Sequence, residues 1–197
     1  MRRRVLAAVG IGVLALSGCS VGADSMQAAA SDEFTISQAQ VETQVGEVLT
    51  GLEQPPGEPP AGLALAVTQR LVQDALSEAK AAEVGVAVTQ AEIEQGISEL
   101  AANNGGQDAL EQAALQAGIP KSALGATIRT QLLLAKIGQQ LAAGGDQTAQ
   151  QAAATAELSA FSEAIDVRVS PRYGTWDDAS LSITPGSTVS SPAPAAS

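Results

Sequence analysis

Residues 86–141 read VAVTQAEIEQGISELAANNGGQDALEQAALQAGIPKSALGATIRTQLLLAKIGQQL, and the punctuation of this stretch decides the fold. Val86-Ala87-Val88 has a β-like composition and leads into Thr89. The Thr89 hydroxyl can accept from a first-turn amide while Glu92 reaches back to the Thr89 amide, which is a capping box. Ile93, Ile97 and Leu100 then fall on one helical face. Asn104-Gly105-Gly106 breaks the chain, and a short helix follows over about 107–117. Gly118 supplies a stop and Pro120 a rigid start for the next helix. That helix carries an apolar stripe of Leu124, Ile128, Leu132, Ile137 and Leu141. The stretch predicts a mainly helical domain.

The chain ahead of it supplies two further helices. Phe34-Thr35-Ile36 alternates, and Ser37 with Gln40 forms a second box-like start. Val41, Val45 and Leu49 give that helix its apolar face until the proline pairs of Gly51 to Pro60 end it. A helix over about 61–82 follows, with Val67, Leu71, Val72 and Leu76 inward and Arg70, Asp74, Glu78 and Lys80 outward. Residues 36–45, ISQAQVETQV, echo residues 88–97, VTQAEIEQGI, without gaps. Two copies are too few for a solenoid. Convergent start chemistry and an old duplication both account for the echo.

Past Leu141, Gly144-Gly145-Asp146 is a break, and a helix rich in Ala and Gln is expected over about 148–164. Val167-Arg168-Val169 alternates as a strand does, and Tyr173 and Trp176 bring the only Tyr and the only Trp together. They could bind a partner as interface aromatics, or pack over the end of a sheet. A disordered Ser/Pro/Ala tail is expected over 178–197.

The N-terminus reads as an address. Met1-Arg2-Arg3-Arg4 is basic, Val5 to Leu16 is apolar, and Leu16-Ser17-Gly18-Cys19 closes the run. This order fits a lipoprotein signal over 1–18 with Cys19 as the lipidated residue. The apolar run is shorter than the roughly twenty residues a spanning helix needs. A free thiol in a secretory signal cleaved further on, near Ala23 or Ala28, is the competing reading. Residues 19–33 are small and polar, and read as a flexible tether ahead of a domain over 34–177.

Composition excludes several chemistries. The chain has no histidine and one cysteine, so Ser-His-Asp, Cys-His and histidine–zinc sites are out, as is an internal disulfide. Lys and Arg number 10 against 21 acids, and cleavage before Cys19 would change the net charge from −11 to −14 (7 − 21). Such a chain is a poor partner for nucleic acid. The acids read as solvated or capping groups: Asp108 and Glu111 early in a helix, Glu92 in its box, Glu42 and Glu94 on polar faces. Asp177-Asp178 is no calcium loop, and Gly105-Gly106 lacks a phosphate motif. No enzyme signature, metal site or cofactor is expected. Arg129 and Lys136 read as a solvated, snorkelling face, with ion pairs to a neighbouring helix as the sharper alternative.

On its "V-T-x-x-E-I" start, Gly-containing break, short "L…G-I-P…L" helix and "I-R-x-Q-L-L" helix, the stretch resembles the N-terminal domain of SurA and PrsA-type foldases and trigger-factor-like chaperones. Residues 34–45 resemble that family's early segment, and residues 167–177, VRVSPRYGTWD, resemble the closing strand of actinobacterial lipoproteins of the group. The resemblance implies a helical cradle in which early and late segments meet in a small β-sheet. It also implies a non-catalytic module, because only about twenty-five residues separate Leu141 from Val167. That is too short for the inserted parvulin isomerase domain.

The function expected is a lipid-anchored, extracytoplasmic holdase on the outer face of the cytoplasmic membrane, binding unfolded or newly exported polypeptides. A dedicated adaptor of one envelope complex is the alternative. The expected peptide-binding or core surface comprises Ile93, Ile97, Leu124, Ile128, Leu132, Tyr173 and Trp176.

Overall fold

A computed structural model describes residues 26–55, 59–60 and 62–186. In chain order these form β1 (Gln27–Ala30), β2 (Thr35–Ser37), α1 (Gln38–Gly51), α2 (Leu63–Glu83), α3 (Gln90–Asn104) and α4 (Gln107–Gln116). They continue with α5 (Lys121–Leu141), α6 (Gln147–Ala164), β3 (Arg168–Val169), β4 (Thr175–Asp177) and β5 (Ser182–Thr184). The mainly helical class with a small sheet is as the sequence predicts.

Local chemistry sets the helix starts. Ser37 accepts from the Gln40 amide while the Gln40 side chain accepts from Ser37 N–H, and Thr89 and Glu92 do the same for α3. The two echoed segments are therefore two capping boxes. Asp146, read only as part of a break, caps α6 by accepting from Ala149 N–H at 2.8 Å. Gly118 ends the α4 turn at a positive φ of 75°, which a side chain would strain.

α5 is the spine. It packs against α2, α3, α4 and α6, most extensively against α6. Leu133 and Ile137 on α5 meet Val67, Val72 and Leu76 on α2 and Leu158 on α6 in the main core. A second, smaller cluster of Ala101, Leu110, Ala114 and Leu124 holds the α3–α4 hairpin to the start of α5. Fully burying one such Leu or Ile is worth about 1.5–3 kcal/mol, so the frame is carried mainly by aliphatic side chains.

The sheet corrects one expectation. Residues 27–30 lie within the segment read as a tether, yet they form the central strand of a sheet ordered β2-β1-β3. Ala29 pairs with Ile36 on one side and Val169 on the other, both antiparallel. Ala28 and Ala29 are 0% and 2% exposed. Alanine has little strand preference of its own; pairing on both edges overrides it. The early and late segments do meet in a sheet, but through β1.

Two smaller corrections follow. Val86-Ala87-Val88 forms no strand; Val88 is buried, and the Ala87 carbonyl accepts from Lys136 Nζ at 2.8 Å. The start of the expected tail is ordered, because Ser182–Thr184 pairs with β4 as β5. Gln69 and Gln73 of α2 fix it, accepting from Ile183 N–H at 2.9 Å and donating to the Leu181 carbonyl at 2.8 Å. Residues 187–197 lie outside the described residues.

Candidate functional site

Of the residues read as peptide-binding or core surface, most are core. Ile93, Leu124 and Ile128 are buried, and Ile97 and Leu132 are half-buried against the clusters. Tyr173 and Trp176 are each 8% exposed. The Trp176 indole donates to Ser162 Oγ at 2.8 Å and Asp178 Oδ1 at 3.0 Å, tying β4 to α6. These aromatics pack. Cys19 lies outside the described residues.

The polar candidates are occupied too. Asp177 closes its own turn, accepting from Ala179 N–H at 3.0 Å and Ser180 Oγ at 2.8 Å. Glu42 and Glu94 stand on exposed faces and Asp108 sits in the first turn of α4. Glu111, further along α4, pairs with Lys121 at 2.9 Å. Arg129 and Lys136 are not simply solvated: Arg129 pairs with Glu78 of α2 at 2.5 Å, and Lys136 with Glu92 of α3 at 2.7 Å. Spacing along one helix could not reveal these pairs, because each partner sits on a different element. Lys136 and the Thr89 donors together pull the Glu92 carboxyl down to about 2.

Inside the helical layer, Arg70 and Asp74 form a half-buried pair at 3.2 Å. Thr130 Oγ1 donates to Asp74 at 2.7 Å, and Arg70 also donates to Gln44. Burial raises the Asp74 carboxyl and lowers the Arg70 guanidinium, each partly offset by the other. The network joins α1, α2 and α5. Lys80 does the same for α2 and α6: it pairs with Glu157 at 2.5 Å and Glu83 at 3.3 Å, with its ammonium 5.0 Å from the Phe161 ring centroid. These groups hold helices in place and present no reacting pair.

Among the concave surfaces, two flank α5. The first groove, about 790 Å³, lies between α1 and the α4–α5 corner, with Gly46, Gly51, Leu115 and Pro120 among its walls and Glu47, Glu111 and Lys121 at its polar positions. Leu115 presses on Gly51, where an added Cβ would meet it at 2.7 Å. Glu47 accepts from Ser122 Oγ across the same gap. Gly46 faces open space, with nothing within 4 Å of where a Cβ would sit. The second groove, about 370 Å³, lies between α5 and α6 and is lined by glutamines over Leu134, Ala135 and Ala154.

Both grooves are open to one side and more apolar than polar in their walls. Among the described residues no group of His, Cys, Asp and Glu could hold a metal ion, and no helix is long and apolar enough to cross a membrane.

The family model of the SurA N-terminal domain matches residues 24–138, which run from just before β1 through nearly all of α5. The chain belongs to the SurA N-terminal domain family. It is a family of chaperone-like folding factors, and the matched part is their non-catalytic chaperone part. The match begins ahead of β1, in agreement with the strand's place in the sheet. No curated protein and no solved structure matches the chain.

Proposed function

We propose that this SurA-type module is a non-catalytic holdase that binds unfolded or newly exported polypeptides outside the cytoplasm, tethered to the membrane through lipid on Cys19. The observation that carries the binding reading is the groove between α1 and the α4–α5 corner: about 790 Å³, largely apolar in its walls and open above Gly46. Family membership supports the same reading. The acidic surface keeps a loaded carrier soluble. The basic start, short apolar run and Leu16-Ser17-Gly18-Cys19 support the anchor.

The test is a client-aggregation assay with the purified chain and its Gly46→Trp variant. Gly46 lies in a helix with free space over it, so the indole fills the groove without crowding the fold. Slowed aggregation by the wild type, lost in the variant at unchanged melting temperature, is expected. A wild type that leaves aggregation unaltered at molar excess overturns the holdase reading. Labelling cells with a radioactive fatty acid tests the anchor; loss of label in Cys19→Ser is expected.

A further inference from the structure

The second groove differs from the first in its chemistry. No ionisable side chain lines it, and none occurs from Gln147 to Ala156, in a chain with 21 acids. Its polar groups are the amides of Gln131, Gln147, Gln150 and Gln151, with Thr155 beside them. Gln150 is used internally, donating to the Gly145 carbonyl at 2.9 Å. The amides of Gln131, Gln147 and Gln151 have no partner among the described residues. Each carries both donors and acceptors. They stand over a small apolar floor of Leu134, Ala135 and Ala154, where α5 and α6 approach closely at Gly138 and Gln150.

We propose that the α5–α6 groove is a second subsite for the client, and that it recognises the main chain of an extended, uncharged segment. An extended peptide presents alternating N–H and C=O groups, and a side-chain amide can satisfy either. Charge selects the occupant: a charged side chain entering this groove would lose water and meet no counter-ion, whereas a neutral segment loses nothing of that kind. The floor of alanine and leucine fits small side chains. This subsite rests on the polypeptide-binding reading and adds what part of the polypeptide is read. It gives sequence-tolerant binding, because every client carries the same backbone.

The test uses the full chain and three fluorescent twelve-residue peptides: a neutral Ala/Val/Ser sequence, the same side chains with alternate N-methylated amides, and the sequence with two Lys introduced. Binding is read by anisotropy for the wild type and for Gln131→Ala/Gln151→Ala, whose changes lie on exposed helical positions. The expected result is weakening of about fivefold for each hydrogen bond removed by N-methylation, a similar loss for the Lys peptide, and no discrimination by the double variant. Equal binding of all three peptides by the wild type, or discrimination surviving in the double variant, overturns main-chain reading and leaves the holdase reading standing. No binding of any peptide overturns both. Binding of a soluble glycan in preference to the neutral peptide overturns the assignment of a peptide to this groove.

Discussion

Trp176 Nε1 lies 2.8 Å from Ser162 Oγ, and that bond ties the β4–β5 hairpin to the helix preceding it. Ser162 is 0% exposed and in turn donates to Asp178 at 2.5 Å. Removing the hydroxyl leaves the indole with Asp178 alone. Ser162→Ala is expected to cost about 1–2 kcal/mol. As the chain has a single Trp, urea unfolding followed by tryptophan emission reads both the loss and any change in the indole's surroundings.

Glu92 gives a pH dependence with a definite sign. Its folded pKa of about 2 lies below the ordinary 4.5, so its contribution is complete above that value and disappears as pH falls toward 2. Glu92→Gln keeps a cap-competent side chain but removes the charge. The wild type is expected to be more stable than this variant at pH 6 and equal to it near pH 2. A stability gap that stays constant between those pH values contradicts the assignment.

Arg70 and Asp74 are only 12% and 15% exposed. Asp74→Ala leaves a largely buried guanidinium without its carboxylate and is expected to destabilise by about 3 kcal/mol. Arg70→Met/Asp74→Leu removes both charges and should cost clearly less than the single change. Denaturant midpoints of the two variants decide the matter.

Two helix glycines predict opposite outcomes. A Cβ at Gly138 would lie 2.4 Å from the Gln150 carbonyl oxygen, so Gly138→Ala must push α6 away from α5. The expected loss is about 1–3 kcal/mol. Gly46 meets nothing within 4 Å, and Gly46→Ala should add about 0.5–1 kcal/mol through helix propensity. A melting temperature that rises for Gly138→Ala as well would show that α6 yields at this contact, and one that falls for Gly46→Ala would show that its side chain is not free.

The fifth group of tests concerns β1. Deleting residues 1–30 should abolish cooperative unfolding in circular dichroism, since β2 and β3 then have no partner between them. Deleting only residues 1–25 should leave it intact. A module that still melts cooperatively without Gln27–Ala30 would restore the tether reading of that segment.

What the sequence reveals and what it hides divide by range. The boxes at Ser37 and Thr89 are readable because cap and partner stand three residues apart. The apolar stripe of α5 is readable because one helix carries it. β1 is not, because three alanines carry no strand signature and the strand's far partner begins 138 positions on (168 − 30). The ion pairs of Arg129 and Lys136 are hidden for the same reason. The residues read as peptide-binding or core surface show the limit most clearly: an apolar stripe announces burial, and the grooves lie beside it, where helix spacing and not hydrophobicity makes room. For the α5–α6 groove one signal was present, the charge-free run from Gln147 to Ala156.

The order β2-β1-β3 has a consequence for synthesis. A strand laid down near the start has one edge filled at once by its neighbour and the other only when Arg168 and Val169 arrive. Until then the open edge is a template for any stray strand. Closing it requires the chain through Val169, so a product cut short before that point keeps an open edge.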